Sequence, residues 1–300
     1  METRWLYTTS EDFAKLREAS GRTCVIPMGC IEKHGLHLPL GTDIVKGSYI
    51  AYRASQIETV CIFPDFTFGD TPRGPHAERP DGSVCLDVRM QMLLLEQLCD
   101  EIAANGFNKI LVANSHGGNV SWLSAFARNW DVKPHKATFA WTKIDITIAP
   151  HHMGKILMEK GTGAIPELTP EDEELIIRYY NEEMELGHAC MGETALVMAA
   201  APASVHLDRL GVESGKAADV PEVQKLVDAG VHMADDGWGY KYPNWYAGDD
   251  PIGINERIAE ASARLTSEKL AKAYAAYKED EFLIKKARER YHDKAYFGSI

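Results

Sequence analysis

The first 150 residues alternate between short apolar runs and longer segments that carry apolar residues at helical spacing. The apolar runs, which we predict to be buried strands, are 23–28, 60–63, 109–113 and 137–146. The segments with helical spacing are 12–19, 44–58, 88–104 and 121–130. Strands that alternate with helices are typical of a parallel sheet covered on both faces. The pattern therefore predicts a compact α/β layer sandwich with a mainly parallel central sheet.

The second half of the chain has a less regular pattern. We predict loop structure over 150–168, followed by a helix with Thr169 as its N-cap and Pro170 as its first residue. A segment of low hydrophobicity then extends to Gly230, and an aromatic, glycine-rich loop comes after it. Residues 254–277 have the spacing of a long amphipathic helix.

A length of 300 residues allows one large α/β domain. No repeat or linker interrupts the chain, so we expect a single domain over 1–275 and a charged tail or docking helix over 276–300. The hydrophobic fraction of 45% and the charged fraction of 25% are those of an ordinary globular protein, which excludes a disordered or collagen-like chain.

The net charge of the chain bears on its binding partners, and its cysteines bear on its cellular compartment. A formal net charge of −12 opposes broad contact with phosphate backbones, so we expect neither nucleic acid nor a membrane as partner. The six cysteines form no CxxC pair, and we interpret them as reduced thiols. There is no signal-like N-terminal segment and no apolar run of membrane-spanning length, so we predict a cytoplasmic protein.

An acidic chain with 11 histidines contains the carboxylate and imidazole side chains that bind metal ions. The densest cluster of these side chains follows the first predicted strand. It is Pro-Met-Gly-Cys-Ile-Glu-Lys-His-Gly-Leu-His-Leu-Pro-Leu-Gly-Thr-Asp at 27–43. A glycine-containing loop can bend so that Glu32, His34 and Asp43 converge on one point. Carboxylate and imidazole together suit Zn²⁺, Mn²⁺ or Fe²⁺. A polar loop whose histidines only satisfy backbone groups is the alternative.

Two further clusters contain the same chemistry. Asn114-Ser-His-Gly-Gly-Asn119 follows another predicted strand, at the edge where open α/β sheets bind ligands, although an ordinary strand-to-helix turn has the same pattern. The third cluster places His188 and Glu193 among small residues before an apolar helix. A carboxylate there is unfavourable unless it is paired, metal-bound or placed at the helix N-terminus.

The three clusters together resemble the creatininase family, the creatinine amidohydrolase-like metallohydrolases. The family motif Pro-x-Gly-x-x-Glu-x-His-Gly-x-His-Leu-Pro-Leu-x-Thr-Asp is matched at 27–43, and the other two motifs are matched at 114–119 and 188–194. The resemblance implies a three-layer αβα sandwich, a homo-oligomer, often a hexamer, and a site for two divalent ions. By position it makes Glu32 and His116 ligands of one ion.

The resemblance makes His34 a ligand of the other ion and Asp43 the bridge. In creatininase itself a Glu two residues after the second-motif His binds the second ion, whereas this chain has Gly118 there. Glu193 is the natural replacement, as a ligand or as a proton shuttle. With three carboxylates, two divalent ions leave one positive charge for a bridging hydroxide. His188 is then the candidate to stabilise an oxyanion or to protonate a leaving group.

The predicted function is hydrolysis of a C–N bond in a small cyclic amide or formamide, because the missing Glu argues against creatinine. The alternative enzyme is a metal-dependent hydrolase that opens a cyclic keto-polyol, such as a keto-inositol, at a C–C bond. A metal-storage or interaction protein on the same scaffold is the non-enzymatic alternative. The remaining candidates, for support of the site or contact with substrate, are His37, Asn119, His76, Arg79 and Trp141. Exposed aromatics in 236–250 would suit a subunit interface.

Overall fold

A computed structural model describes residues 1–71, 80–233 and 237–291. Its centre is a four-stranded parallel sheet in the order β2-β1-β3-β4. The strands are β1 (Thr23–Met28), β2 (Cys61–Ile62), β3 (Lys109–Asn114) and β4 (Thr138–Lys143). All six residues of β1 and of β3 are buried, as a strand with both faces covered requires.

Helices surround the sheet. They are α1 (Ser10–Ala19), α2 (Thr42–Ile57), α3 (Val88–Ala104), α4 (Asn119–Trp130), α5 (Met153–Lys160), α6 (Pro170–Asn181), α7 (Met191–Ala200), α8 (Pro221–Asp228), α9 (Trp238–Lys241), α10 (Glu256–Glu279) and α11 (Phe282–Tyr291). Short 3₁₀ turns lie at Trp5–Tyr7, Pro202–Ser204 and Leu207–Arg209, and a wide, kinked turn at Ile148–His152 precedes α5. None of the helices in the described ranges combines the length and the apolar character needed to cross a bilayer.

The two faces of the sheet are buried against different helices. On one face, Cys24, Ile26 and Met28 of β1 pack with α1, α3 and α4. On the opposite face, Val25 of β1 and Leu111 of β3 pack with α2, α7 and α10. This alternation along the strands produces three layers, so the predicted αβα sandwich is confirmed.

The strand order creates a natural ligand-binding position. The chain leaves β1 towards β2 on one side, and it returns through α3 to β3 on the other side of β1. Open α/β sheets bind ligands at such a switch point, outside the carboxyl ends of the strands. The last residues of the two central strands, Met28 and Asn114, are paired in register. The two predicted ligand motifs therefore begin side by side.

The prediction of loop structure over 150–168 is wrong, because that segment contains α5. Gly154 inside this helix misleads the sequence pattern, since glycine usually weakens a helix. Its absent side chain is needed here: a Cβ at Gly154 would lie 2.3 Å from the Cβ of Tyr180 on α6. The predicted start of α6 is correct, because Thr169 accepts from the backbone of Asp172 and forms a capping box with it.

One other expectation for the second half needs correction, and one segment for which no element was predicted contains a helix. The low-hydrophobicity segment before Gly230 contains α8, which buries a single residue, Val223. The aromatic segment is not uniformly exposed, because Trp245 and Tyr246 are buried within the chain. Beyond residue 275 the chain stays helical through the end of α10 and α11, where Ile284 is buried.

Candidate metal centre

The first group of candidate ligands joins the loops after β1 and β3. The His116 Nδ1 atom lies 3.1 Å from Glu32 Oε1 and 2.9 Å from Asp43 Oδ2. Asp43 is in the first turn of α2, where the helix N-terminus favours a carboxylate. Glu32 and Asp43 are 1% and 0% exposed. Two acidic side chains and one imidazole thus face one another out of contact with water.

The orientation of His116 is determined by the segment after β2. Its Nε2 atom donates to the Asp70 carbonyl at 2.5 Å, which directs Nδ1 at the two carboxylates. Asn119 holds that carbonyl in place, because its Oδ1 accepts from the Asp70 backbone N–H at 2.8 Å and its Nδ2 donates to Asn114. Metal-binding histidines commonly have such a partner on the second ring nitrogen. Asn119 therefore supports the site indirectly.

Gly118, the position at which creatininase itself carries a Glu, lies beside the His116–Asp70 hydrogen bond. A Cβ at Gly118 would lie 2.6 Å from His116 Nε2 and 2.9 Å from the Asp70 carbonyl oxygen. Both distances are shorter than van der Waals contact, and one of the two atoms belongs to the backbone. The packing of this chain therefore requires glycine at position 118, where creatininase itself has a Glu.

We expect Gly118→Ala to weaken metal binding and activity by about 10- to 100-fold, because the methyl group would separate His116 from Asp70. Metal dissociation constants measured by titration check this expectation. Gly117→Ala is the matched control, since a Cβ at Gly117 meets nothing within 4 Å. Equal effects of the two substitutions would contradict the role of the His116–Asp70 bond.

The second group of candidate ligands shares Asp43. The His34 Nε2 atom lies 3.7 Å from Asp43 Oδ1, 3.7 Å from Glu193 Oε2 and 3.9 Å from Glu32 Oε1. Its Nδ1 atom contacts the Glu32 carbonyl at 3.2 Å, which turns Nε2 towards the carboxylates. Glu193 is in the first turn of α7, and its Oε2 accepts from the Ala189 backbone N–H at 2.6 Å. Asp43 therefore links the two groups.

Two buried atoms in this centre lack hydrogen bonds. Among the described residues, no donor with hydrogen-bond geometry reaches Glu32 Oε1, although His116 Nδ1 lies 3.1 Å away, and His34 Nε2 has no hydrogen-bond partner. Leaving a buried polar atom unpaired is costly, so such atoms call for an additional partner. Donor atoms bound to one Zn²⁺ at about 2.0–2.2 Å are at most about 4.4 Å apart, which the distances above satisfy. The residues present fit divalent metal ions.

His188 is the most exposed of the three imidazoles in the centre. Its side chain is 13% exposed, against 6% for His116 and 0% for His34, on which its ring stacks at 4.0 Å. Its Nε2 donates to the Lys33 carbonyl at 2.7 Å, and its Nδ1 lies 3.6 Å from Glu32 Oε1. A neutral His188 therefore presents an unprotonated Nδ1 at the mouth of the centre.

Sequence reasoning missed two residues of the centre. Lys46 is fully buried, and its Nζ donates to Asp43 Oδ1 and, at 2.6 Å, to Glu193 Oε1. Cys30 is also buried, and its Sγ donates to Asp43 Oδ2 at 3.1 Å. The signal for Lys46 is its position one turn after Asp43 on the buried face of α2, where charged side chains are rare unless paired.

Lys46 and the imidazoles of the centre favour the ionised form of its carboxylates. Burial opposes charge on Glu32, but His116 and His188 lower the pKa of this carboxyl to about 2. Burial likewise opposes charge on Asp43, yet Lys46 and His116 hold its pKa well below the usual value. Metal ligands must be deprotonated to bind, so both carboxylates are ready for a cation.

The other sequence candidates have different surroundings. His37 Nε2 contacts the Ala189 carbonyl at 3.1 Å and Thr194 Oγ1 at 3.2 Å, so it connects the first motif to α7. Trp141 is a half-buried residue of β4 that packs with the aromatic core under α4. His76 and Arg79 lie outside the described residues.

The ring of Trp238, on α9, meets His188 edge-on at 5.4 Å, which sequence reasoning did not anticipate.

Comparison with known proteins identifies a family and relatives of this chain. The family described as "Creatininase: Creatinine amidohydrolase" matches residues 7–274. A 2-amino-5-formylamino-6-ribosylaminopyrimidin-4(3H)-one 5'-monophosphate deformylase from Methanobrevibacter smithii is 28% identical over 162 residues, covering 52% of this chain and 66% of the relative. A mycofactocin precursor peptide peptidase from Mycolicibacterium smegmatis is 27% identical over 154 residues, covering 49% of this chain and 58% of the relative. The alignments thus span less than two thirds of these curated relatives.

Solved structures show the same fold. The manganese form of creatininase superposes with a TM-score of 0.67 and 16% identity, covering 93% of this chain and 100% of the other. At that identity the likeness concerns the fold alone.

Proposed function

The chain belongs to the creatininase family, whose members are metal-dependent amidohydrolases, and we propose that it hydrolyses a C–N bond in a small cyclic amide or formamide. The observation that carries the proposal is the buried centre in which Glu32 Oε1 and His34 Nε2 lack partners. Buried polar atoms are usually satisfied by hydrogen bonds, so two unpaired atoms within a group of carboxylates and imidazoles favour a cation site. A centre that binds cations leaves them free.

Two positions for divalent ions are proposed in this centre. Glu32, Asp43 and His116 would hold one ion, and His34, Asp43 and Glu193 would hold the other. The ligand set suits Zn²⁺, Mn²⁺ or Fe²⁺. Bound ions of this kind polarise a carbonyl group and make hydroxide available near neutral pH.

His188 is proposed to move the proton of the reaction. Its Nε2 is engaged with the Lys33 carbonyl, so its Nδ1 accepts a proton and can then deliver it to the leaving nitrogen. The edge of Trp238 and the stacked ring of His34 hold the imidazole in this orientation. Glu193 supports the centre as a ligand, with its second oxygen fixed by Lys46.

The proposed substrate class follows from the relatives and from Gly118. One relative is named a deformylase and the other a peptidase, and both names describe cleavage at a carbonyl–nitrogen bond. The position at which creatininase carries a carboxylate is Gly118 here, and the packing leaves no room for a side chain there. We therefore propose a formamide or cyclic amide other than creatinine as the substrate.

A substrate panel with a metal depletion step tests this proposal. The purified enzyme is depleted with a chelator, assayed on cyclic amides, formamides, creatinine and keto-inositols, and assayed again after Zn²⁺, Mn²⁺ or Fe²⁺ is restored. We expect metal-dependent turnover of a formamide or cyclic amide. Turnover of keto-inositols alone would establish the C–C hydrolase instead. Full activity without metal would exclude both metal-dependent hydrolases. Mass measurement in solution tests the homo-oligomer, for which a hexamer is the proposed form.

A further inference from the structure

Lys46 places a positive charge where the proposed function puts the second ion. Its ammonium group contacts Asp43 Oδ1 and Glu193 Oε1, and both residues belong to the His34 position. The inference that follows rests on that proposed function, because it concerns how the same centre distributes its ions.

The Lys46 side chain cannot easily leave this location. Lys46 is 0% exposed and lies on the face of α2 that also buries Gly47, Ile50 and Ala51. Breaking its ion pairs without removing it from the interior would leave an uncompensated buried charge, which is strongly unfavourable. A second cation must therefore bind beside the ammonium group and compete with it for the same oxygen of Asp43.

The charges of the centre favour a single ion. Glu32, Asp43 and Glu193 contribute three negative charges, and Lys46 cancels one of them. One divalent ion then makes the centre neutral, and a second ion makes it doubly positive before any anion binds. Because Lys46 cancels one carboxylate charge, the negative charge available to two ions is smaller than the three predicted ligand carboxylates alone would supply. Charges in a buried centre interact strongly because the local dielectric constant is low.

We propose that Lys46 makes the two ion positions unequal: one divalent ion is held tightly by Glu32, Asp43 and His116, and Lys46 weakens binding of a second ion beside His34. The chain thereby uses a fixed ammonium group for part of the charge that a second metal would supply. The second ion binds strongly only when an anion, such as hydroxide or a substrate carboxylate, accompanies it.

Metal titration of the wild-type enzyme and of Lys46 variants tests the proposal. The depleted protein is titrated with Mn²⁺, and free Mn²⁺ is counted by electron paramagnetic resonance. We expect the wild type to bind one ion tightly and a second at least about tenfold more weakly, a difference of about 1.4 kcal/mol. Lys46→Met, which keeps the length of the side chain but removes its charge, is expected to tighten the second ion at least about tenfold. Lys46→Arg is expected to keep the wild-type pattern.

Lys109→Met is the matched control, because Lys109 is also a buried lysine but donates to the Lys278 carbonyl on α10, away from the centre. Two equally tight ions in the wild type would overturn the inference without any variant. An unchanged second constant in folded Lys46→Met would also overturn it, and the proposed function would survive. If Lys46→Met does not fold, the ratio of the first to the second Mn²⁺ dissociation constant, measured in the wild type and in Lys46→Arg, still decides whether the two positions are unequal. Absence of any bound ion would overturn both.

Discussion

Asp43→Asn is expected to abolish metal binding at both positions and to lower turnover by at least about a thousandfold. Asp43 faces both ligand groups, with Oδ2 towards His116 and Oδ1 towards His34. The amide keeps the shape of the side chain but loses the charge that a divalent ion requires. Metal-ion catalysis is worth several kcal/mol, and about 1.4 kcal/mol corresponds to a factor of ten in rate. Metal content by mass spectrometry and turnover of the panel substrate measure both effects.

The control for this variant is Asp145→Asn. Asp145 is a partly buried aspartate after β4 that pairs with Lys269 on α10 and belongs to none of the ligand groups found among the described residues. It should retain the wild-type metal content and turnover. An Asp43→Asn protein that is folded and still holds its tight ion would show that Asp43 is not a ligand of that ion.

Glu193→Gln is expected to remove the weak second ion, to leave the tight first ion in place and to lower turnover by about 10²- to 10⁴-fold. Glu193 contacts the His34 group and Lys46, whereas the Glu32, Asp43 and His116 group forms without it. The second phase of a metal titration, compared with turnover of the same sample, separates a ligand from a proton carrier. Lost turnover with an unchanged second phase would assign Glu193 to proton movement.

Glu173→Gln provides the matched control for Glu193→Gln. Glu173 is likewise a buried glutamate near the start of a helix, and its Oε1 accepts from a backbone N–H, that of Gly163, at 2.7 Å. Its replacement should change neither the metal titration nor turnover. A similar loss in both variants would indicate a general effect of removing a buried carboxylate.

Residues close together in the sequence were the easiest part of the centre to predict. Glu32 and His34 lie in the loop after β1, and Asp43 lies in the first turn of the helix that follows it. His116 follows the neighbouring strand, so strand order brings the four residues together. Glu193 is a candidate from its own segment, because a carboxylate among small residues before an apolar helix is unusual. Its place beside the first cluster required the family resemblance, since nothing in that segment shows that α7 packs across α2.

Lys46 and the Asp70 carbonyl show where sequence reasoning stops. A lysine near a helix start usually indicates a solvated face, and only the stripe of Asp43, Gly47 and Ile50 around it reveals burial. The Asp70 carbonyl orients His116, but a backbone acceptor has no side-chain signature at all. Helix α5 was missed for a related reason, since the tight contact that requires Gly154 lies on another helix.

Anomalous X-ray diffraction from crystals of the wild-type enzyme, grown with one equivalent of Zn²⁺ and measured at the zinc edge, tests the central claim most directly. We predict one strong peak bounded by Glu32 Oε1, Asp43 Oδ2 and His116 Nδ1. A peak elsewhere, or no peak in crystals of enzyme that is fully active, would contradict the account.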